Sequence, residues 1–346
     1  MSLTRAVRAG GGGPGDAQPG GWRLGSAGAA ALHVYRRVRI FLGALLALVI
    51  LIVLLGITEP VFLSASNWKN ILVANSSLFI VSVGMTAVLI SSGFDLSLGA
   101  MMAVSEETLY LLLRAGVPAV PSFVIVLLVG LVIGAALNGM LIGVCRVNFL
   151  VVTLGSMTLL YGLTDVVTNG ATNTISSHAL EVLGNGSVLG VPVPILVVIG
   201  TLLVGGFVLK MTSFGRTIYG VGGNREAARI AGIAVPLVVV AVYGFSGMCG
   251  ALAGLVEAGR LAAATPNTGS TIALTSGAAV LLGGTSLFGG VGGLTGTIVG
   301  VLVIAVLGNG VDLLGVSNFW QGVVTGAVLL GALLLDRLQK HGQAGL

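Results

Sequence analysis

Ten windows of some twenty apolar residues recur along the chain, at 40–58, 70–91, 97–114, 122–144, 149–168, 192–211, 234–255, 272–288, 292–310 and 317–335. Each is about long enough to carry a helix across roughly 30 Å of hydrocarbon. That pattern predicts an all-α, polytopic membrane protein of about ten transmembrane helices. Composition excludes the soluble alternative. Only 8% of the residues are charged, against roughly a quarter in ordinary soluble chains, which is too little to clothe a water-facing surface of this size. The 56 glycines fit the same class, since small residues let membrane helices approach closely. Cys145 and Cys249 have no partner spacing and read as small core residues.

Residues 1–35, with GGGGPG and scattered arginines, read as a disordered tail. Residues 36–338 read as the membrane domain and 339–346 as a short C-terminal tail. The first apolar run lacks a small-residue cleavage site and is followed by GITEPVF, so it is expected to be a retained helix and not a signal peptide. With ten spans and the basic tail inside, both termini are cytoplasmic and thirteen of the sixteen basic residues obey the positive-inside rule. Lys69, Arg114 and Arg260 are the exceptions, and Glu59, Glu181 and Glu257 fall outside. The basic balance is thereby assigned to membrane edges and lipid head groups, with no nucleic acid implied.

This topology sets YGVGGNREAARIAGI, Tyr219 to Ile233, in the cytoplasm as a charged insert in a greasy chain. Asn224 can cap a helix, Glu226 complements its positive end, and Gly232 supplies a stop. Arg225 and Arg229 stand four apart, while Ala227, Ala228 and Ala231 form a small-residue face. The preceding glycines, Gly223 among them, read as a turn. The element is expected to be a short amphipathic helix on the membrane surface. No G-x-x-x-x-G-K-[ST] loop, dinucleotide fingerprint, metal-ligand pattern or hydrolase motif occurs. The chain is therefore not expected to be an enzyme or to hold a cofactor or metal.

The run T-S-F-G-R-T-I-Y-G-V-G-G-N-R-E-A-A-R-I-A-G-I, Thr212 to Ile233, resembles the signature cytoplasmic loop of ABC-transporter permeases of the ribose-type sugar uptake family. G-F-D-L-S-L-G (93–99), N-G-M-L-I-G (138–143), V-T-L-G-S-M (152–157), A-A-V-L-L-G-G-T-S-L-F-G-G (278–290) and N-G-V-D-L-L-G-V (309–316) follow the same family in the same order. The resemblance covers residues 60–336. It implies a permease subunit in the bacterial inner membrane that pairs with a second permease subunit, identical or paralogous. It also implies two ATPase subunits, or a fused double ATPase, holding ATP and Mg, and a periplasmic or lipid-anchored sugar-binding protein. On this resemblance residues 212–233 are the coupling loop, with Gly223, Asn224, Arg225, Glu226, Ala227, Ala228, Arg229 and Gly232 meeting the ATPase.

The broken stretch Gly93–Gly99 is expected to border the path, because irregular backbone at membrane depth is buried in protein or faces water. Asp95 reads either as a substrate contact or as the cap of the next helix. Candidate path residues are Phe94, Asp95, Ser97, Thr153, Tyr161, Thr285 and Ser286, with Glu106 and Glu107 added because charges inside a span are costly. The family usually has small uncharged residues at those two glutamates, Pro at Asn148, Arg at Tyr161, and acids at Ala273 and Thr275, so cavity chemistry is expected to differ. AVLLGGTS (279–286) is similar to AVLISSGF (87–94), hinting at an internal duplication. The alternatives are an ion-coupled secondary transporter using Glu106 and Glu107, or a permease of the same architecture for branched-chain amino acids or nucleosides.

Overall fold

A computed structural model describes residues 26–317 with 320, 322–323, 326–327 and 331, and side chains from residue 41 onward. Its helices are α1 Ser26–Thr58, α2 Ala65–Ala74, α3 Ser76–Ile90, α4 Leu98–Arg114, α5 Ala119–Ile133, α6 Met140–Gly143 and α7 Phe149–Thr168. They continue as α8 His178–Asn185, α9 Val193–Met211, α10 Ser213–Gly223, α11 Arg225–Ile230, α12 Val235–Leu261, α13 Ile272–Leu282 and α14 Leu294–Leu313. A π-helical turn, Gly134–Gly139, joins α5 to α6 in one span. Two-residue ribbons pair β1 (Asn173–Thr174) with β4 (Ala263–Ala264) and β2 (Ser187–Val188) with β3 (Val191–Pro192).

Ten spans are not what the described residues show. Six helices are long and apolar enough to cross a bilayer: within α1, α5–α6, α7, α9, α12 and α14. The pair α2–α3, bent by 50° at Asn75, makes a seventh. The eighth window falls short of a span because irregular backbone at 283–293 consumes its end, leaving α13 with 11 residues, whereas α4, with 17, fills the third window except for residue 97. The tenth window, 317–335, lies largely outside the described residues, as do 1–25 of the N-terminal tail and all of 339–346. Residues 26–35 of that tail are helical, since their alanines extend the first span.

Centrality follows burial. α12 and α14 are each 56% buried in their apolar windows, against 17–28% for the other single-helix spans, and α3 is buried along its whole length, so these three form the middle of the bundle. A glycine seam makes α12 central. A Cβ on Gly130, Gly134, Gly139 or Gly143 would strike Gly247, Tyr243, Val240 or Pro236 of α12, which is how small residues bring membrane helices together. Cys249 is buried in that core, whereas Cys145 is exposed in the turn after α6, contrary to its reading as a core residue.

Candidate functional site

Four places carry the polar chemistry. At one end of the bundle, α10 and α11 form a bent pair. Asn224, extended at φ −160°, is the bend, and its Oδ1 accepts from the Glu226 and Ala227 amides at 3.0 Å each. Gly232 ends the element at φ +82°, with the amides of Gly232 and Ile233 returning to Arg229 and Ala228 carbonyls. The predicted cap and stop are therefore in place. Glycines 220, 222 and 223, by contrast, are helical and belong to α10; a glycine run does not break a helix that packing holds. Ala228 turns inward and is buried, so it does not join Ala227 and Ala231 on an exposed face. Arg229 grips Glu226 through two bonds of 2.6 and 3.1 Å, which holds the Glu226 carboxyl below its ordinary range. Arg225 makes no ion pair among the described residues, and Ile230 beside it is 77% exposed.

Halfway along α12 lies a buried polar chain. Ser156 of α7 donates to Asn138 Oδ1 (2.6 Å), Asn138 donates to Ser97 Oγ (2.7 Å), and Ser97 donates to Asp95 Oδ1 (2.6 Å). The Ser97 amide (3.0 Å) and Ser246 Oγ of α12 (2.7 Å) also donate to Asp95. Every donor runs toward Asp95, the common acceptor that opens α4. Asp95 thus braces the cap: it accepts from the amide and hydroxyl of Ser97, the residue that caps α4, and the 91–97 break is sealed in protein at this depth. Phe94 packs on Gly277, and Thr153 Oγ1 reaches the Phe94 carbonyl at 3.4 Å.

Glu106 and Glu107 are buried on α4. Glu106 accepts from the Thr265 amide at 2.9 Å and Glu107 from Asn173 Nδ2 at 3.4 Å. Because Asn173 pairs with Ala264, both carboxylates fasten the β1–β4 ribbon to the helix. Each keeps one oxygen without a hydrogen-bond partner among the described residues. Tyr161 donates to the Thr268 carbonyl (3.0 Å) and Thr164 to that of Pro266 (3.0 Å), so α7 anchors the same loop. It dips until Gly269 leaves no space for a Cβ on Gly99.

That loop roofs a cavity of about 920 Å³. The cavity opens among α2, α3, α12, α13 and α14, with Asn70, Asn75, Ser77, Glu257, Thr268, Thr271, Thr275, Asn309 and Asp312 as its polar lining. From Val235, which follows α11, to Glu257 the helix rises roughly 33 Å, so the cavity and α11 occupy opposite ends of α12. Glu257 Oε2 accepts from Ser77 (2.7 Å) and Arg260 (2.8 Å), and Asn67 and Asn309 exchange amide bonds of 2.9 and 3.1 Å in the wall.

None of the nine sequence-predicted path residues lines this cavity. Phe94, Asp95, Ser97 and Thr153 build the buried break, and Tyr161, Glu106 and Glu107 hold the roof. Thr285 and Ser286 shape the loop between α13 and α14, where Gly292 packs against Thr285 and Ser286 Oγ accepts from the Phe288 amide. The lining side chains were missed because an Asn, Ser or Thr on an apolar helix looks unremarkable; the clearest signal available was N-G-V-D-L-L-G-V, which contains Asn309 and Asp312.

Residues 67–333 match the family described as branched-chain amino acid transport system / permease component. The ribose import permease protein RbsC of Bacillus subtilis is 40% identical over 298 residues, covering 86% of this chain and 92% of that protein. Its Escherichia coli K12 counterpart is 38% identical, covering 86% and 94%. The xylose transport system permease protein XylH of the same strain is 32% identical, covering 82% and 88%. No solved structure matches.

Proposed function

Since the chain belongs to the family of branched-chain amino acid transport system permease components, we propose that it is the membrane subunit of an ATP-driven importer for a monosaccharide or related small polyol. The observation that carries the substrate class is identity of 32–40% across nearly the whole length of permeases named for ribose and xylose. The cavity supports it: amide, hydroxyl and carboxylate groups on apolar walls are what a neutral polyhydroxylated molecule needs. ATP and Mg belong to a separate ATPase; no nucleotide-binding loop occurs in this sequence. In this reading the protein lies in the bacterial inner membrane with both termini cytoplasmic, beside a second permease subunit, and receives sugar from a binding protein outside.

α11 is the coupling helix of this proposal. Its frame is fixed by the Asn224 cap and the Gly232 stop, its Ala228 is rooted in the bundle, and Arg225 and Ile230 are exposed. ATPase closure would bias the permease between inward-open and outward-open states. The test is reconstitution with a partner ATPase and a sugar-binding protein. Labelled ribose or xylose, but neither leucine nor a nucleoside, should be taken up with ATP, and Arg225→Ala/Glu226→Ala/Arg229→Ala should lose ATPase copurification. Uptake of leucine alone, or undisturbed copurification, would refute the respective half of the proposal.

A further inference from the structure

The two broken helices meet at one point, under the last turn of α10. Ser92, just past the end of α3, holds a left-handed backbone at φ 64°, a conformation that side-chain-bearing residues seldom adopt. Its hydroxyl lies 2.9 Å from the Gly222 carbonyl of α10 and 2.7 Å from the Phe288 carbonyl of the 283–293 loop, so one proton is shared between two segments far apart in sequence. The Gly290 amide donates to the Ile90 carbonyl at 2.8 Å, and Tyr219 of α10 donates to the Gly292 carbonyl at 3.0 Å.

Glycines make the approach close. A Cβ on Gly222 would strike the Ile90 carbonyl, one on Gly289 would strike Ser92 Oγ, and one on Gly290 would press on Gly223. Gly289 and Gly290 are themselves left-handed, at φ +84° and +70°. Thus α10, the break before α4 and the break before α14 are locked together by backbone contact and two hydroxyls, and only that of Ser92 reaches from the first break to both other segments. The related stretches 87–94 and 279–286 supply the two breaks. Beyond them, α3, α13 and α14 run to the cavity at the other end.

We propose that Ser92 is a positioning residue for transport, its shared hydroxyl making both helix breaks follow any displacement of α10 and α11. This rests on reading α11 as the coupling helix. Rigid contact of this kind moves neighbouring elements as a unit, whereas a hydrated gap between α10 and the breaks would let α11 move without them.

Ser92→Gly is the decisive variant, because it deletes the hydroxyl while making the left-handed backbone easier, so folding is not penalised. Ser92→Ala deletes the same hydroxyl and keeps the strain. In the reconstituted complex, both variants should copurify with the ATPase and hydrolyse ATP near the wild-type rate. Sugar taken up per ATP hydrolysed should fall about threefold to tenfold, the scale of one lost hydrogen bond. A smaller fall, a loss confined to Ser92→Ala, or a parallel fall of uptake and hydrolysis would each overturn the proposal. Failure of the underlying reading shows separately, as undisturbed copurification in the Arg225/Glu226/Arg229 triple variant.

Discussion

Replacing Asp95 by Ala removes the acceptor on which the mid-bundle polar chain converges. Three donors lose their partner: the Ser97 amide, the Ser97 hydroxyl and the Ser246 hydroxyl. Ser246, inside α12, can turn to a carbonyl of its own helix. Ser97 has no such retreat, because it opens α4 and its oxygen already accepts from Asn138. Two stranded buried donors at about 1–3 kcal/mol each give a loss of about 2–6 kcal/mol. At about 2–4 °C per kcal/mol that corresponds to a fall on the order of 4–24 °C in the unfolding midpoint. Asp95→Asn keeps an oxygen for both Ser97 donors and offers Ser246 an amide to accept from, so it should cost about 1 kcal/mol. Thermal unfolding of the three proteins in lipid nanodiscs, followed by tryptophan fluorescence, measures the difference. If Asp95→Ala melted within about 2 °C of the wild type yet lost sugar uptake, Asp95 would be a substrate contact and the capping argument would fail.

The carboxylates on α4 give a second pair of variants. Glu106→Ala strands the Thr265 amide and should cost about 1–3 kcal/mol, whereas Glu106→Gln and Glu107→Gln keep an acceptor and should leave stability, uptake and its pH profile unchanged; an altered pH profile of uptake in a Gln variant would restore the ion-coupled reading. At the other end, Ile230→Ser should not move the unfolding midpoint, because the side chain is 77% exposed, but should weaken ATPase copurification about tenfold if burial against the partner is worth about 1.5 kcal/mol or more; unchanged copurification would remove Ile230 from the contact.

The elements that sequence located well are those whose signals are local. Asn224 and Gly232 fix the ends of α11 by cap chemistry that needs no tertiary knowledge, and the apolar windows found the helices because hydrocarbon length is a local constraint. What sequence could not see depends on distant neighbours. GVGG reads as a turn by propensity, yet continues α10 because Gly222 must approach Ile90 without a side chain. Glu106 and Glu107 read as a site because isolated charge in a span is expensive; their partners, Thr265 and Asn173, lie on a roof far away in sequence. The eighth window overran its helix for a related reason: hydropathy sums across 283–293, where glycines that break the helix are themselves scored as nonpolar.

The same contrast explains why the motifs of the two helix breaks lie away from the cavity. G-F-D-L-S-L-G and A-V-L-L-G-G-T-S-L-F-G-G are rich in Gly, Ser and Asp because helix breaks need left-handed or closely packed backbone and a local acceptor, and those demands write a recognisable string into the sequence. A cavity wall makes no such demand. Asn70, Asn75, Ser77, Thr275 and Asn309 sit at or near regular helix and need only project a polar head from it. Such positions can change with the substrate while the breaks stay fixed. Substrate preference within this architecture would then reside, so far as the permease contributes to it, in scattered helical positions around Glu257, and coupling in the contiguous strings at the opposite end of α12. Glu257 stands in that wall with its Oε2 held by Ser77 and Arg260, outside every matched string, so a motif search has no means of finding it.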